Sequence, residues 1–149
     1  MNISFSEFSR LEGKQLQIFS ILSPTIGERK MTDKITLSVI KADVGSVAGH
    51  SCPHPAMVQK ARQKLEEGIR SKIILDYHVS RAGDDMELIM THKNGENATA
   101  VHKLAWDAFV SAADEAKRLK LYAAGQDLLA DAFSGNVRGQ GPGAAEVEF

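Results

Sequence analysis

The sequence predicts an α/β protein of the α+β kind, built on a β-α-β-β-α core. Three observations carry that expectation. Residues 35–40 alternate apolar with small polar side chains, as a half-buried strand does. Two further β-rich runs, residues 72–80 and 86–92, flank the tripeptide Gly83-Asp84-Asp85. Residues 97–120 set Val101, Leu104, Ala105, Ala108, Phe109, Ala112, Ala116 and Leu119 on one stripe at helical spacing.

The first strand gives way to a loop punctuated by Gly45 and Gly49. Pro53 and Pro55 close that loop and favour a helix start, where the missing proline N–H costs nothing. Residues 56–67 carry Val58, Ala61 and Leu65 on one face, and Gly68 is placed to cap the helix end. The second strand holds Ile73, Ile74, Leu75, Tyr77 and Val79. Ala82 and Gly83 allow a tight connection, so the second and third strands form a hairpin. Asn94-Gly95 marks the turn after it. The long helix follows, with Asp114, Lys117, Arg118 and Lys120 on its polar face. A shorter helical stretch, residues 125–132, leads into a loop rich in glycine: Gly135, Gly139, Gly141 and Gly143. Glu146-Val147-Glu148-Phe149 alternates again, as a beginning strand would.

At 149 residues the chain is about one domain. Lys and Arg number 18 against 19 Asp and Glu, and they are scattered, so no basic stripe exists to bind nucleic acid. No apolar run approaches the length of a membrane span. Cys52 stands alone, which excludes an internal disulfide and makes a reducing cytoplasm the expected setting. Residues 1–34 differ from the rest. Phe5, Phe8, Leu11, Leu16, Ile18 and Leu22 follow no sustained period, and no signal-peptide pattern is present. Met31 stands just before the first clean strand. Translation is therefore expected to start at Met31, with residues 1–34 read as an N-terminal extension and the domain pattern carried by residues 35–149.

Adjacent ionised carboxylates repel, so Asp84 and Asp85 need solvent or a cation to offset them. Hard oxygen ligands of this kind suit Mg²⁺, which takes one or two carboxylates plus substrate phosphates. Taken alone, the tripeptide reads more simply as a solvated Gly-Asp turn. Asp43 follows a strand, where ligand-binding residues gather, but a strand-ending turn also explains it. His50, Cys52 and His54 are close in sequence yet lack a second ligand pair at structural-zinc spacing. Gln126 offers a neutral oxygen ligand or a helix-start hydrogen bond. Asp127 and Asp131 lie i, i+4 and read more simply as a solvated face than as a metal pair. The glycine-rich loop frees backbone amides to cradle phosphate, and Arg138 could add a charge. It matches neither the P-loop nor the dinucleotide fingerprint.

Several segments together resemble one family. They are Ser38-Val39-Ile40-Lys41-Ala42-Asp43-Val44-Gly45-Ser46, Gly49-His50, Gly83-Asp84-Asp85, Leu88-Ile89-Met90-Thr91-His92, His102-Lys103-Leu104-Ala105-Trp106, residues 121–129 around Tyr122 and Gln126, and Phe133-Ser134-Gly135-Asn136-Val137. This pattern is similar to the N-terminal portion of archaeal-type fructose-1,6-bisphosphate aldolase/phosphatase, a bifunctional gluconeogenic enzyme. The resemblance covers nearly all of residues 35–149 and implies an α-β-β-α layered sandwich. It implies condensation of dihydroxyacetone phosphate with glyceraldehyde 3-phosphate, then removal of the 1-phosphate from fructose 1,6-bisphosphate, both at one Mg²⁺-loaded site in a homo-oligomer. Asp43, Asp84, Asp85 and Gln126 would be the Mg²⁺ ligands. His50, Tyr122, Gly135 and Asn136 would contact the sugar bisphosphate. Family members run to more than twice this length, and their Schiff-base lysine, its partner tyrosine and further acidic ligands match nothing up to Phe149.

Overall fold

The computed structural model describes residues 34–129 and 141–149. Expectations for residues 1–33, for Asp131, and for Gly135, Asn136 and Arg138 fall outside the described residues. The chain forms β1 (Thr36–Ala42), α1 (Pro55–Arg70), β2 (Asp76–Ala82), β3 (Asp85–His92), α2 (Thr99–Arg118), a 3-10 turn (Gln126–Leu129) and β4 (Gly143–Glu148). The strands make one antiparallel sheet in the order β2-β3-β1-β4. The fold class is thus α+β, and the described residues supply one sheet with one helical layer.

Strand alternation decides which face is covered. Thr36, Ser38, Ile40 and Ala42 of β1 and Met86, Leu88, Met90 and His92 of β3 all point inward and are buried. Register puts Ile40 opposite Leu88 and Ala42 opposite Met86, so the two strands present one continuous apolar surface. Met57, Ala61 and Leu65 of α1 and Val101, Ala105, Ala108, Phe109 and Ala112 of α2 close over it. Each fully buried large side chain here contributes about 1.5–3 kcal/mol. On the other face Leu37, Val39 and Ile89 are half-buried, while Ile35, Val147 and Phe149 are exposed. No helix among the described residues is long and apolar enough to cross a membrane.

Gly68 does not end α1, contrary to expectation. It lies inside the helix, which runs on to Arg70 and is capped by Ser71. A Cβ at Gly68 would stand 2.3 Å from Leu104 Cδ2, so the glycine lets α1 and α2 approach closely. The long helix is shorter than its periodicity suggests, because Asn97 and Lys120 both adopt positive φ and lie outside it. The stretch expected as a helix from residue 125 is, where described, a single 3-10 turn.

β4 is fastened by a buried polar chain at the Thr36–His92 end of the sheet. The Asn94 N–H donates to His92 Nδ1 at 3.3 Å, which leaves the proton on Nε2. Nε2 then donates to Ser38 Oγ at 2.7 Å, and the Ser38 hydroxyl donates to Glu146 Oε1 at 2.5 Å. Glu146 also accepts from His102 Nε2 at 3.1 Å and from the Asn97 N–H. Burial pushes the His92 imidazole below its usual range. Burial alone would raise Glu146; bonds from Ser38, Asn97 and His102 outweigh it and hold this carboxyl low.

Candidate functional site

The opposite end of the sheet gathers the acidic residues. There β1 runs out beside the start of β3, since Ala42 pairs with Met86. Asp43 therefore emerges next to the hairpin that carries Asp84 and Asp85. That hairpin is a two-residue loop, because Ala82 pairs with Asp85 and only Gly83 and Asp84 intervene. Gly83 takes φ +72°, which glycine adopts without steric cost.

The segment after α2 is laced to the segment after β1. Ser46 and Tyr122 exchange backbone hydrogen bonds at 3.0 and 3.2 Å, and the Gly125 N–H reaches the Val44 carbonyl at 3.0 Å. Asp43 and Asp127 form a reciprocal pair. The Asp127 N–H donates to the Asp43 carbonyl at 3.0 Å, and the Asp43 N–H donates to Asp127 Oδ2 at 2.8 Å. Asp43 Oδ1 accepts from the Gly45 N–H at 3.1 Å. The close crossing requires Gly45, whose φ is +121° and whose missing Cβ would meet Ala116, Ala124 and Tyr122.

Asp43 is 9% exposed. Its carboxyl is raised above the usual carboxylate range, first by burial and then by the charges of Asp84, Asp127 and Asp85, against the lowering bond from Gly45. Asp43 thus feels three other acids across the sheet end. Asp84 Oδ2 lies 2.9 Å from His50 Nδ1, and Asp85 is ion-paired with Lys41. The His50 and Tyr122 rings meet edge to face with centroids 4.2 Å apart. Both line an open depression of about 700 Å³ together with Gly49, Lys120 and Ala123. Gln126 is exposed and its N–H bonds the Ala123 carbonyl.

The structure therefore brings Asp43, Asp84, Asp85, His50 and Tyr122 to one end of the sheet. It does not gather His50, Cys52 and His54: His54 Nδ1 accepts from the Ala56 N–H at 3.2 Å and caps α1. Among the described residues no three His, Cys, Asp or Glu side chains stand ready to hold a metal ion. The donor chemistry nevertheless fits a hard cation. Carboxylate oxygens are hard donors of the kind Mg²⁺ takes, and the charges of Asp84, Asp127 and Asp85 add to burial in raising Asp43. Asp84 and Asp85 are each engaged through one oxygen, Asp84 Oδ2 with His50 and Asp85 Oδ2 with Lys41.

Two residues at this site give little sign of their part in the sequence. Asp127 reads there as part of a solvated helix face, yet its carboxylate anchors the Asp43 backbone. Lys41 carries no signal beyond its place at a strand end. Both roles arise from partners distant in sequence, which no local pattern reveals.

Residues 34–149 match the family model described as fructose-1,6-bisphosphatase. Three curated relatives bear the name fructose-1,6-bisphosphate aldolase/phosphatase. The chain is 55% identical over 119 residues to that of Moorella thermoacetica, covering 80% of this chain and 31% of the relative. It is 56% identical over 116 residues to that of Methanothermobacter marburgensis, covering 78% and 32%. It is 56% identical over 121 residues to that of Methanocaldococcus jannaschii, covering 81% and 31%. The chain spans about a third of the length of these relatives.

Proposed function

The chain belongs to the fructose-1,6-bisphosphatase family, and on that premise we propose that it provides part of a Mg²⁺-dependent fructose-1,6-bisphosphate aldolase/phosphatase site. The observation that carries this reading is the convergence of Asp43, Asp84, Asp85 and Asp127 beside the His50–Tyr122 depression. Asp43, Asp84, Asp85 and Gln126 would hold Mg²⁺, which when bound supplies charge stabilisation for a transferring phosphoryl group.

The chain's own residues have definable tasks. The Asp127–Asp43 pair fixes the backbone under the Asp43 carboxylate, so that this oxygen ligand is positioned before anything binds. His50 presents one ring nitrogen to Asp84, which orients the imidazole against Tyr122. The Tyr122 side is open to solvent and can meet a sugar hydroxyl or phosphate oxygen. Lys120 lines the same depression and adds positive charge near where an anionic substrate would enter. Gly135 and Asn136 would complete the phosphate contacts. Dihydroxyacetone phosphate and glyceraldehyde 3-phosphate are the proposed substrates of the condensation, and homo-oligomeric assembly in the cytoplasm belongs to the same proposal.

The Schiff-base lysine of the family has no match here, so aldol chemistry needs sequence equivalent to the rest of the relatives. We therefore expect this chain alone to give no borohydride-trapped lysine adduct with dihydroxyacetone phosphate, and very weak phosphate release from fructose 1,6-bisphosphate. The chain joined to the remaining two thirds of a relative should do both in a Mg²⁺-dependent way. Absence of phosphate release from the joined protein would reject the reading. One observation favours a second reading, a non-catalytic phosphate- or metal-binding chain: Asp84 and Asp85 are already paired within the chain. Mg²⁺ binding without turnover in the joined protein would select it.

A further inference from the structure

Lys41 lies on β1, two residues before Asp43, in register with Glu87 of β3. Its ammonium forms an ion pair with Asp85, at the start of that neighbouring strand. An exposed ammonium thus faces the Asp85 carboxylate at the sheet end. Its side chain is 52% exposed while that of Asp85 is 23% exposed. The pair therefore sits at the surface, where such contacts are weak and readily broken. His50 Nδ1 makes the corresponding contact with Asp84, at 2.9 Å.

We propose that Lys41 is a built-in counter-ion of the carboxylate cluster, holding Asp85 while no divalent cation is bound and releasing it when one enters. The inference rests on the metal-binding reading above. Its physical basis is competition for one carboxylate. Neighbouring acids held together without a cation repel, and one mobile ammonium offsets part of that repulsion. A divalent ion carries twice the charge and can engage several carboxylates at once, so it displaces a single exposed ammonium. Lys41 remains tethered to the strand and moves aside on its flexible stem.

The test uses the full chain, with Mg²⁺ alone as probe. Lysine side-chain NMR during a MgCl₂ titration at constant ionic strength should show the Lys41 signal shifting saturably, at the affinity that calorimetry gives. Lys64, paired with Glu67 on α1, should not shift. Lys41→Gln should bind Mg²⁺ about two- to five-fold more tightly, the scale of a lost surface ion pair. Lys41→Arg, which keeps the charge, should bind no more tightly than wild type. Mg²⁺ binding by Lys41→Gln but not by wild type would also support the proposal. If Mg²⁺ binds wild type while the Lys41 signal stays still and Lys41→Gln gains nothing, the counter-ion role is overturned and the metal site stands. If neither protein binds Mg²⁺, the metal reading falls and this inference falls with it.

Discussion

Gly45→Ala tests whether the crossing of the two loops sets the position of Asp43. A Cβ at Gly45 would lie 3.0 Å from Ala116 Cβ, 3.1 Å from Ala124 Cα and 3.3 Å from the Tyr122 carbonyl oxygen. Two of those three atoms are backbone and cannot swing away. The backbone at φ +121° adds a second penalty, since alanine rarely adopts it. That conformational cost is about 1–3 kcal/mol, and the crowding adds about 1–3 kcal/mol. Gly49 provides the control. Its φ is +90°, but nothing lies within 4 Å of the methyl that alanine would add, so Gly49→Ala carries the conformational cost alone. Both variants lose the same unfolded-state flexibility of glycine, and this effect cancels in the comparison. Gly45→Ala should therefore lose about 1–3 kcal/mol more than Gly49→Ala in urea unfolding, at unchanged m. It should also weaken Mg²⁺ binding in calorimetry, because relief of the contact moves the segment that holds Asp43. Equal losses in the two variants would refute the reasoning that packing at this crossing positions the ligand.

Replacing Asp84 and Asp85 together by Asn should abolish calorimetric Mg²⁺ binding while circular dichroism stays native, since relieved repulsion offsets the lost pairs with His50 and Lys41; unchanged affinity would return the pair to a solvated turn. Asp127→Ala leaves the Asp43 N–H without its carboxylate acceptor and should cost about 1–3 kcal/mol in urea unfolding; a variant as stable as wild type would contradict the anchoring role. The His92 network should make stability fall with acid. His92 is depressed by burial, so the unfolded state binds its proton first as pH drops below about 6.5, and native stability is lost in the window beneath that value. Glu146 is also held low, so its contribution, present above the ordinary glutamate range, is lost at still lower pH. Urea unfolding at pH 7.5 and 5.5 should show the lower pH less stable, and equal stabilities would contradict the assignment.

The helical and strand elements are readable in the sequence because burial imposes a period on each. The stripe from Val101 to Ala116 is the buried face of α2, and the alternation at residues 35–40 is the two faces of β1. Gly68 misleads because glycine has two meanings in a helix, a cap or a place for close approach, and only the position of Leu104 decides between them. The site is half legible for a related reason. Asp84 and Asp85 announce themselves by adjacency, whereas their relation to Asp43 depends on which strands pair. Hairpin chemistry at Gly83 predicts that β2 pairs with β3, but it leaves the neighbour on the far side of β3 open. Once β1 takes that place antiparallel, with Ala42 opposite Met86, the residue leaving β1 and the residue entering β3 must meet. Asp43 and Asp85 are those residues. The acidic cluster is thus a consequence of strand order, and its partners Lys41 and His50 come with it, one from β1 itself and one from the loop that β1 feeds.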